Sequence, residues 1–182
     1  MNTATVVVLA VIAGVGPGCS SPIVKTTDTK DLPMTEKLRE IVEKAIDHPE
    51  DHATLELDYA RGHDLSGVTR FTVHADGSYT LSSSVTRDEQ KHEWSGKLDD
   101  PDRKALLRAV DETGLLVVPS STRNLADDEE PIIVTLRDEQ LVHELRVWHD
   151  DAGPSGFYRF EAHVIPLVKK LSGGEILTIA AR

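Results

Sequence analysis

Apolar side chains recur at helical spacing early in the chain. Their positions are Leu38, Ile41, Val42, Ala45 and Ile46. This i, i+3, i+4, i+7, i+8 pattern predicts an amphipathic helix over residues 35–47, with Thr35 as its N-cap. Alternation then replaces the helical pattern. Leu55, Leu57 and Tyr59 are separated by acidic residues, which predicts a half-buried strand.

A hairpin is predicted next, with strands at 68–74 and 78–87 joined by Ala75-Asp76-Gly77. A three-residue loop with Gly77 in the left-handed conformation places Phe71 opposite Leu81, an apolar pair. A two-residue turn at Asp76-Gly77 would shift the register by one position and set apolar side chains opposite polar ones. The three-residue loop is therefore the prediction.

The second half of the chain repeats the mixture of strands and helices. A strand is predicted at 91–98, a hairpin at 132–137 and 141–149, and a last helix at 157–171. Another helix lies between the strand and the hairpin. Its predicted signals are Asp100 as N-cap, Pro101 at the first helical position and Gly114 just beyond its end. Pro166 is expected to kink or split the last helix.

The order of these elements predicts one α+β domain over residues 34–182. Runs of strands between single helices favour a mostly antiparallel sheet, here with two hairpins packed by about three helices. A polar face alternates with an apolar face in the second hairpin. Its apolar side comprises Ile132, Val134, Leu136, Leu141, His143, Leu145 and Val147. We interpret His143 on this face as a partly buried, hydrogen-bonded side chain.

Residues 1–18 contain no Asp, Glu, Lys or Arg, and their apolar run extends from Ala4 to Val15. Such a run is too short for an ordinary membrane-spanning helix, which needs about 20 apolar residues. It has the length of a signal-peptide core and is followed by Cys19, the only cysteine of the chain. The segment resembles a bacterial lipoprotein signal, although Gly16 stands where that motif usually has leucine.

The resemblance implies cleavage after residue 18 and lipid modification of Cys19. A lone thiol in an exported protein would be reactive, and a thioether-linked lipid removes it. Residues 19–33 are rich in Ser, Thr, Asp and Lys and are predicted to be a flexible tether. We therefore expect a domain anchored to a membrane of the bacterial cell envelope, facing the extracytoplasmic side. The alternative is a plain secretory signal.

The charge and composition of the chain argue against several classes of partner and cofactor. The chain carries 20 basic and 31 acidic residues, a net charge of −11. Phosphates repel such a surface, so nucleic acid is not an expected partner. One cysteine allows no intramolecular disulfide. The sequence has no Gly-rich phosphate loop and no CxxC motif, and we predict no cofactor.

Several side chains are candidates for chemistry. His48 and His52 are four residues apart beside carboxylates, but Pro49 interrupts the helix that a zinc motif of this kind needs. The acidic run at 127–130 lacks the spacing of a calcium-binding loop. We interpret both as solvated segments, and no metal site is predicted.

Two further candidates lie close together in the sequence. Ser155 sits in Gly153-Pro154-Ser155-Gly156-Phe157, which lacks the second glycine of a nucleophile elbow, and we interpret this segment as a turn that starts a helix. His149 and Asp150 end a predicted strand without an evident nucleophile beside them. No catalytic residue is predicted, and a non-enzymatic protein is expected.

Three elements resemble the small emfourin-type inhibitors of thermolysin-like metalloproteases. They are the turn His74-Ala75-Asp76-Gly77, the helix opening Asp99-Asp100-Pro101 and the strand ending in Trp148. The resemblance implies a protease-binding role. Our leading hypothesis is an envelope lipoprotein with a non-catalytic binding or structural role. An inhibitor of secreted metalloproteases is the first alternative, and an envelope hydrolase or metal-dependent enzyme is the second.

Overall fold

A computed structural model describes residues 32–63, 67–85, 90–122, 124, 130–139, 141–148 and 155–176. These residues form one α+β domain in which three helices pack on one face of a six-stranded antiparallel sheet. The helices are α1 (Leu32–Asp47), α2 (Asp100–Glu112) and α3 (Ser155–Leu171). The strands are β1 (Glu56–His63), β2 (Gly67–His74), β3 (Ser78–Val85), β4 (Gln90–Lys97), β5 (Pro131–Asp138) and β6 (Leu141–Trp148).

The strand order across the sheet is β4-β3-β2-β1-β5-β6. Both predicted hairpins are present, as β2–β3 and β5–β6. In the first of them Phe71 lies opposite Leu81, and Gly77 has φ +86°, so the three-residue loop is confirmed. The sequence did not predict that β1 pairs with both β2 and β5, which joins the two hairpins into one sheet.

The inner face of the sheet, which contacts the helices, carries the apolar positions of the alternating strands. Its largest fully buried side chains on the strands are Tyr59, Phe71, Leu81, Ile132, Leu136 and Leu145. The helices contribute an apolar stripe each, and Leu38, Val42 and Ala45 of α1 are fully buried, as the helical spacing predicted. One hydrophobic core therefore spans all three helices and the sheet.

α2 lies between α1 and α3 and runs antiparallel to both. Arg39 of α1 pairs with Asp111 near the end of α2, with an Nε–Oδ1 distance of 2.6 Å. On the other side, Lys170 near the end of α3 pairs with Asp102 near the start of α2, with Nζ and Oδ2 2.6 Å apart. These pairs fix the direction of each neighbour relative to α2.

Three local predictions about the helices need correction. α1 begins at Leu32, so Thr35 is a buried residue inside the first turns and not the N-cap. Pro33 near the start explains the earlier beginning, because proline suits the first turn of a helix. α3 is not split at Pro166, which lies inside one continuous helix.

The N-cap of α2 is also one residue earlier than predicted. Asp99, and not Asp100, has the extended backbone of a cap, and its Oδ1 accepts a hydrogen bond from the Asp102 amide at 2.8 Å. Asp99 therefore satisfies one of the open amides of the first turn. The predicted end of α2 is confirmed, because Gly114 adopts the left-handed conformation with φ +72°.

Candidate functional site

Several side chains singled out from the sequence lie outside the described residues. They are Cys19, His149, Asp150 and residues 127–129 of the acidic run. The lipidation of Cys19 and any role of the other residues therefore stay predictions. Glu130, the last residue of the acidic run, is described and contacts the core through Arg61.

Ser155 is the first residue of α3, and the sheet before it is antiparallel throughout. This confirms that a helix starts in this segment, while the predicted turn before Ser155 lies outside the described residues. Gly156 has a packing role there, because a Cβ added to it would lie 2.6 Å from the carbonyl oxygen of Thr113. The glycine thus permits close contact between α3 and the end of α2.

His48 follows α1, and Pro49–His52 forms one turn of 3-10 helix. Ligand atoms of His48, Glu50 and Asp51 lie within 4.8 Å of one another, whereas His52 is not part of this group. All three side chains are exposed, and His48 Nδ1 is 3.8 Å from Glu50 Oε1. Exposed side chains that approach one another at a helix end do not by themselves define a metal centre.

His143 lies on β6 directly opposite Leu136, on the inner face that the alternation predicted. It is partly buried, in agreement with its interpretation from the sequence. Its ring lines a groove beside the start of α1. It is therefore placed with the core-facing side chains of β6.

A buried polar cluster that the sequence did not predict lies between β1 and α3. The Tyr59 hydroxyl donates to Glu161 Oε1 at 2.7 Å, and Arg61 Nη1 donates to the same oxygen at 3.4 Å. Glu130 Oε2 lies 3.7 Å from Arg61 Nε on the other side. Burial and then the charge of Glu161 raise the pKa of Tyr59 well above its ordinary value, so the phenol remains a proton donor.

The members of this cluster are joined to one another. Tyr59, Arg61 and Glu161 are all buried, and each of their charged or polar ends contacts another member. A buried carboxylate held by a guanidinium and a phenol fixes the position of α3 over β1. The available signal was Glu161 on the apolar stripe of α3, four residues after Phe157.

A second buried arginine, Arg103 of α2, contacts backbone carbonyls. Nη1 donates to the Ala45 oxygen at 2.9 Å, and Nη2 donates to the Ile46 oxygen at 2.8 Å, both in the last turn of α1. Nη1 also reaches the carbonyl of Ala75 in the β2–β3 loop at 3.2 Å. A cation at the carboxyl end of a helix suits its open carbonyls and its dipole. Arg103 thus joins α1, α2 and the first hairpin.

The outer face of the sheet carries no helix among the described residues, and we call it the open face. Hydroxyl groups are its commonest feature. They belong to Thr72, Ser78, Thr80, Ser82, Ser84, Ser95 and Thr135. Toward β5 and β6, Thr135 and Trp148 are buried, whereas Arg137, Glu144 and Arg146 are exposed. Six of the seven hydroxyl groups lie on β2, β3 and β4, and we call this part the β2–β4 half.

Charged side chains on the β2–β4 half occur in opposite-charge pairs. Arg70 Nη2 lies 3.0 Å from Asp58 Oδ2, and Thr72 Oγ1 donates to the other oxygen of that carboxylate at 2.8 Å. Lys91 pairs with Glu93 on β4, and Lys97 lies 3.4 Å from Asp76 at the adjoining loop. This surface is consequently close to neutral, although the chain as a whole carries a net charge of −11.

No family model matches this chain, and no curated protein matches it. In the part of the chain that the structure describes, none of the helices has the length and apolarity required to cross a bilayer. The described fold and surfaces are therefore the structural basis for a functional proposal.

Proposed function

We propose that this chain is a lipid-anchored protein of the bacterial cell envelope that binds a protein partner without catalysis. The anchor in this proposal is Cys19, and the domain faces the extracytoplasmic side. The proposal for the anchor is supported by the apolar run before Cys19, by the lone thiol and by the polar segment that follows.

The β2–β4 half of the open face is the proposed contact surface. The observation that carries this assignment is its charge balance, because Arg70, Lys91 and Lys97, its cations among the described residues, are each paired with a carboxylate on a strongly acidic protein. Long-range repulsion by the net charge of the domain is weakest where the local charge is neutral. Hydroxyl groups supply the polar contacts that a protein interface of ordinary composition needs.

The buried ionisable side chains support a non-catalytic role. Tyr59, Arg61 and Glu161 contact one another, and Arg103 is occupied by carbonyl groups of α1 and the first loop. These groups hold elements of the fold together.

Palmitate labelling tests the anchor. Wild-type chain expressed in bacteria should incorporate labelled palmitate, and the Cys19→Ser variant should incorporate none. Ser20→Ala is the matched control, because it changes the neighbouring residue and leaves the thiol in place. Equal labelling of the wild type and Cys19→Ser would refute the anchor.

Charge reversal tests the contact surface. Arg70→Glu places a second carboxylate beside Asp58 on the open face, and Arg108→Glu makes the same change on the exposed side of α2. Each variant of the full chain would be used to recover partners from envelope extract, with quantitative mass spectrometry as the readout. We expect a specific partner to be lost with Arg70→Glu and retained with Arg108→Glu.

The opposite result would assign binding to the helical layer and contradict the proposed surface. A partner set that both variants leave unchanged would also contradict it. If the lost partner is a secreted metalloprotease, inhibition of that protease by the wild-type chain would identify the binding role as the one that the emfourin resemblance implies.

A further inference from the structure

β4 forms one edge of the six-stranded sheet, and none of the described residues pairs with its outer side. The edge at β6 is different, because the Arg146 backbone there is bonded by Ser120 and Ser121 of the chain after α2. From Lys91 to Lys97 every residue of β4 except Trp94 is exposed, so the helical layer does not extend over this strand. A strand edge of this kind is a template for pairing with another strand.

The hydrogen bonds of β4 show which of its backbone groups face this edge. The Leu98 amide donates to the Gly77 carbonyl at 2.9 Å, in register with the β3–β4 ladder. Backbone groups alternate in direction along an antiparallel strand, so the even-numbered residues of β4 bond to β3. The amides and carbonyls that point away from the sheet belong to Lys91, Glu93, Ser95 and Lys97.

We propose that two copies of this chain pair through β4, antiparallel to each other, with Ser95 of one copy opposite Ser95 of the other. In this register Glu93 of each copy lies opposite Lys97 of its counterpart, which places two ion pairs across the two-fold axis. Both side chains are exposed, and both lie on the open face. The inference goes beyond the proposed function and needs neither a lipid nor another protein.

The charges of β4 disfavour the neighbouring registers that keep the same direction of hydrogen bonds. A pairing centred on Glu93 sets the two Glu93 carboxylates against each other. A pairing centred on Trp94 sets Lys91 against Lys97. Like charges directly opposite each other destabilise a strand pair, whereas opposite charges stabilise it. The charge pattern therefore selects a pairing and does not merely block the edge.

The inner side of β4 also favours the pairing centred on Ser95. It sets Trp94 opposite Gly96 of the other copy in a non-hydrogen-bonded pair, where side chains approach most closely. The Tyr79 ring covers Gly96, since a Cβ on this glycine would lie 3.2 Å from Tyr79 Cε1. The partly buried Trp94 ring would thus gain an aromatic neighbour in the other copy. A pairing centred on His92 allows attractive charge pairs but sets Trp94 opposite a polar side chain.

Charge exchange tests the proposal in the full chain, with Cys19→Ser as the parent. Glu93→Lys sets lysine against lysine across the axis, and Lys97→Glu sets carboxylate against carboxylate. Each variant alone should be monomeric at concentrations where the parent is a dimer, and a mixture of the two should dimerise because both ion pairs are restored. Sedimentation velocity over a concentration series is the measurement, since one strand pair makes a small interface. Arg108→Glu on the exposed side of α2 is the control and should dimerise like the parent.

Ser95→Pro provides a second reading that leaves the charge unchanged. Proline removes the outward amide at the centre of the pairing, while the bonds from β4 to β3 use other residues. We expect this variant to be folded by circular dichroism and monomeric. A dimer that survives in Ser95→Pro, or charge variants that do not dimerise when mixed, would overturn the proposal. A monomeric parent would also overturn it, and a protein from envelope extract that Ser95→Pro then fails to bind would be the one that pairs with β4.

Discussion

Arg61 and Arg103 are both buried arginines, 7 % and 5 % exposed, but different groups neutralise them. Arg61 lies between two carboxylates, Glu161 and Glu130, in a cluster that also contains Tyr59. Arg103 has one carboxylate, Asp100 at 2.7 Å, which is exposed, and its other hydrogen bonds go to backbone carbonyls. The first arginine depends on side chains that mutation can remove, whereas most acceptors of the second are fixed parts of the backbone.

This difference has a physical consequence for stability. A buried ion pair loses hydration when the protein folds, and its replacement as a unit by apolar side chains is often neutral. Backbone carbonyls at the end of α1 cannot be replaced, so each must find a donor or water. Arg61 should therefore be dispensable together with its partners, while Arg103 should not be dispensable at all.

The largest effect is expected from Glu161→Ala. Loss of the carboxylate removes the nearer of the two carboxylates beside the buried Arg61 charge, and breaking a buried pair in this way costs about 3–5 kcal/mol. The free energy of unfolding from urea titration measures this loss. The matched variant combines Tyr59→Phe, Arg61→Met and Glu161→Leu, and it should regain most of the stability. A triple variant as unstable as Glu161→Ala would show that the cluster itself stabilises the fold.

Arg103→Met is expected to have a smaller but uncompensated effect. Its removal takes a hydrogen-bond donor away from the carbonyls of Ala45, Ile46 and Ala75. A buried acceptor left without a partner costs about 1–3 kcal/mol. Arg108→Met on the exposed side of the same helix is the control. A surface substitution of this kind usually changes stability by less than about 0.5 kcal/mol. Equal losses for the two variants in urea unfolding would show that the carbonyls find water instead.

The alternation of apolar and polar residues in the strands made much of the fold predictable from the sequence. It did not predict the partners of the two buried arginines. Period-two patterns assign each side chain to a face, and the apolar pairs of the first hairpin allow one register. The same rule places Arg61 on the inner face, where a charge is expected only with a partner. That partner, Glu161, is 100 positions away in the sequence, and local spacing carries no information about it.

The open face was predictable only in part for the same reason. Alternation predicted polar positions on the separate hairpins, but the β1–β5 pairing that joins them is not local. The neutral pairing of its charges also depends on neighbours across strands, such as Arg70 with Asp58. Cap positions failed for a different reason. Asp99 and Asp100 are both suitable caps, and only the backbone conformation distinguishes them.

Gly77→Ala tests how firmly the surroundings hold Arg103. Gly77 has φ +86°, and a Cβ there would lie 3.2 Å from Cδ of Arg103. A left-handed residue with a side chain costs about 1–2 kcal/mol, and the contact presses on the arginine stem as well. Differential scanning calorimetry of the variant should show a lower Tm. Gly174→Ala, at φ +87° with open space around it, separates the backbone strain from the contact. If both variants lose the same stability, the Arg103 side chain moves away from the added Cβ without a measurable loss of stability.

Asp76, beside Gly77 in the same loop, should give the smallest effect, and it extends the comparison to an exposed charge. Hydrogen bonds from the Ser78 hydroxyl and amide lower the pKa of Asp76 from 3.8 to about 2. The unfolded chain therefore binds a proton first as the pH falls, and the stability that this carboxylate contributes is present above 3.8 and lost as the pH falls toward 2. Because the side chain is 50 % exposed, we expect Asp76→Asn to cost about 1 kcal/mol or less at neutral pH.

The measurement for Asp76 is urea unfolding of the wild type and Asp76→Asn across this pH range. Asparagine keeps the oxygen that accepts from Ser78, so the difference between the two curves reports the charge alone. That difference should narrow as the pH falls from 3.8 and should vanish below 2. Glu43→Gln on the exposed side of α1 controls for removal of one negative charge from an acidic protein. If the difference in unfolding free energy between the wild type and Asp76→Asn is the same at neutral and acidic pH, the geometry of the loop and not the charge of Asp76 accounts for it. The exposed carboxylate would then resemble Arg103, whose role is to satisfy the backbone, more than Arg61, whose role depends on charge.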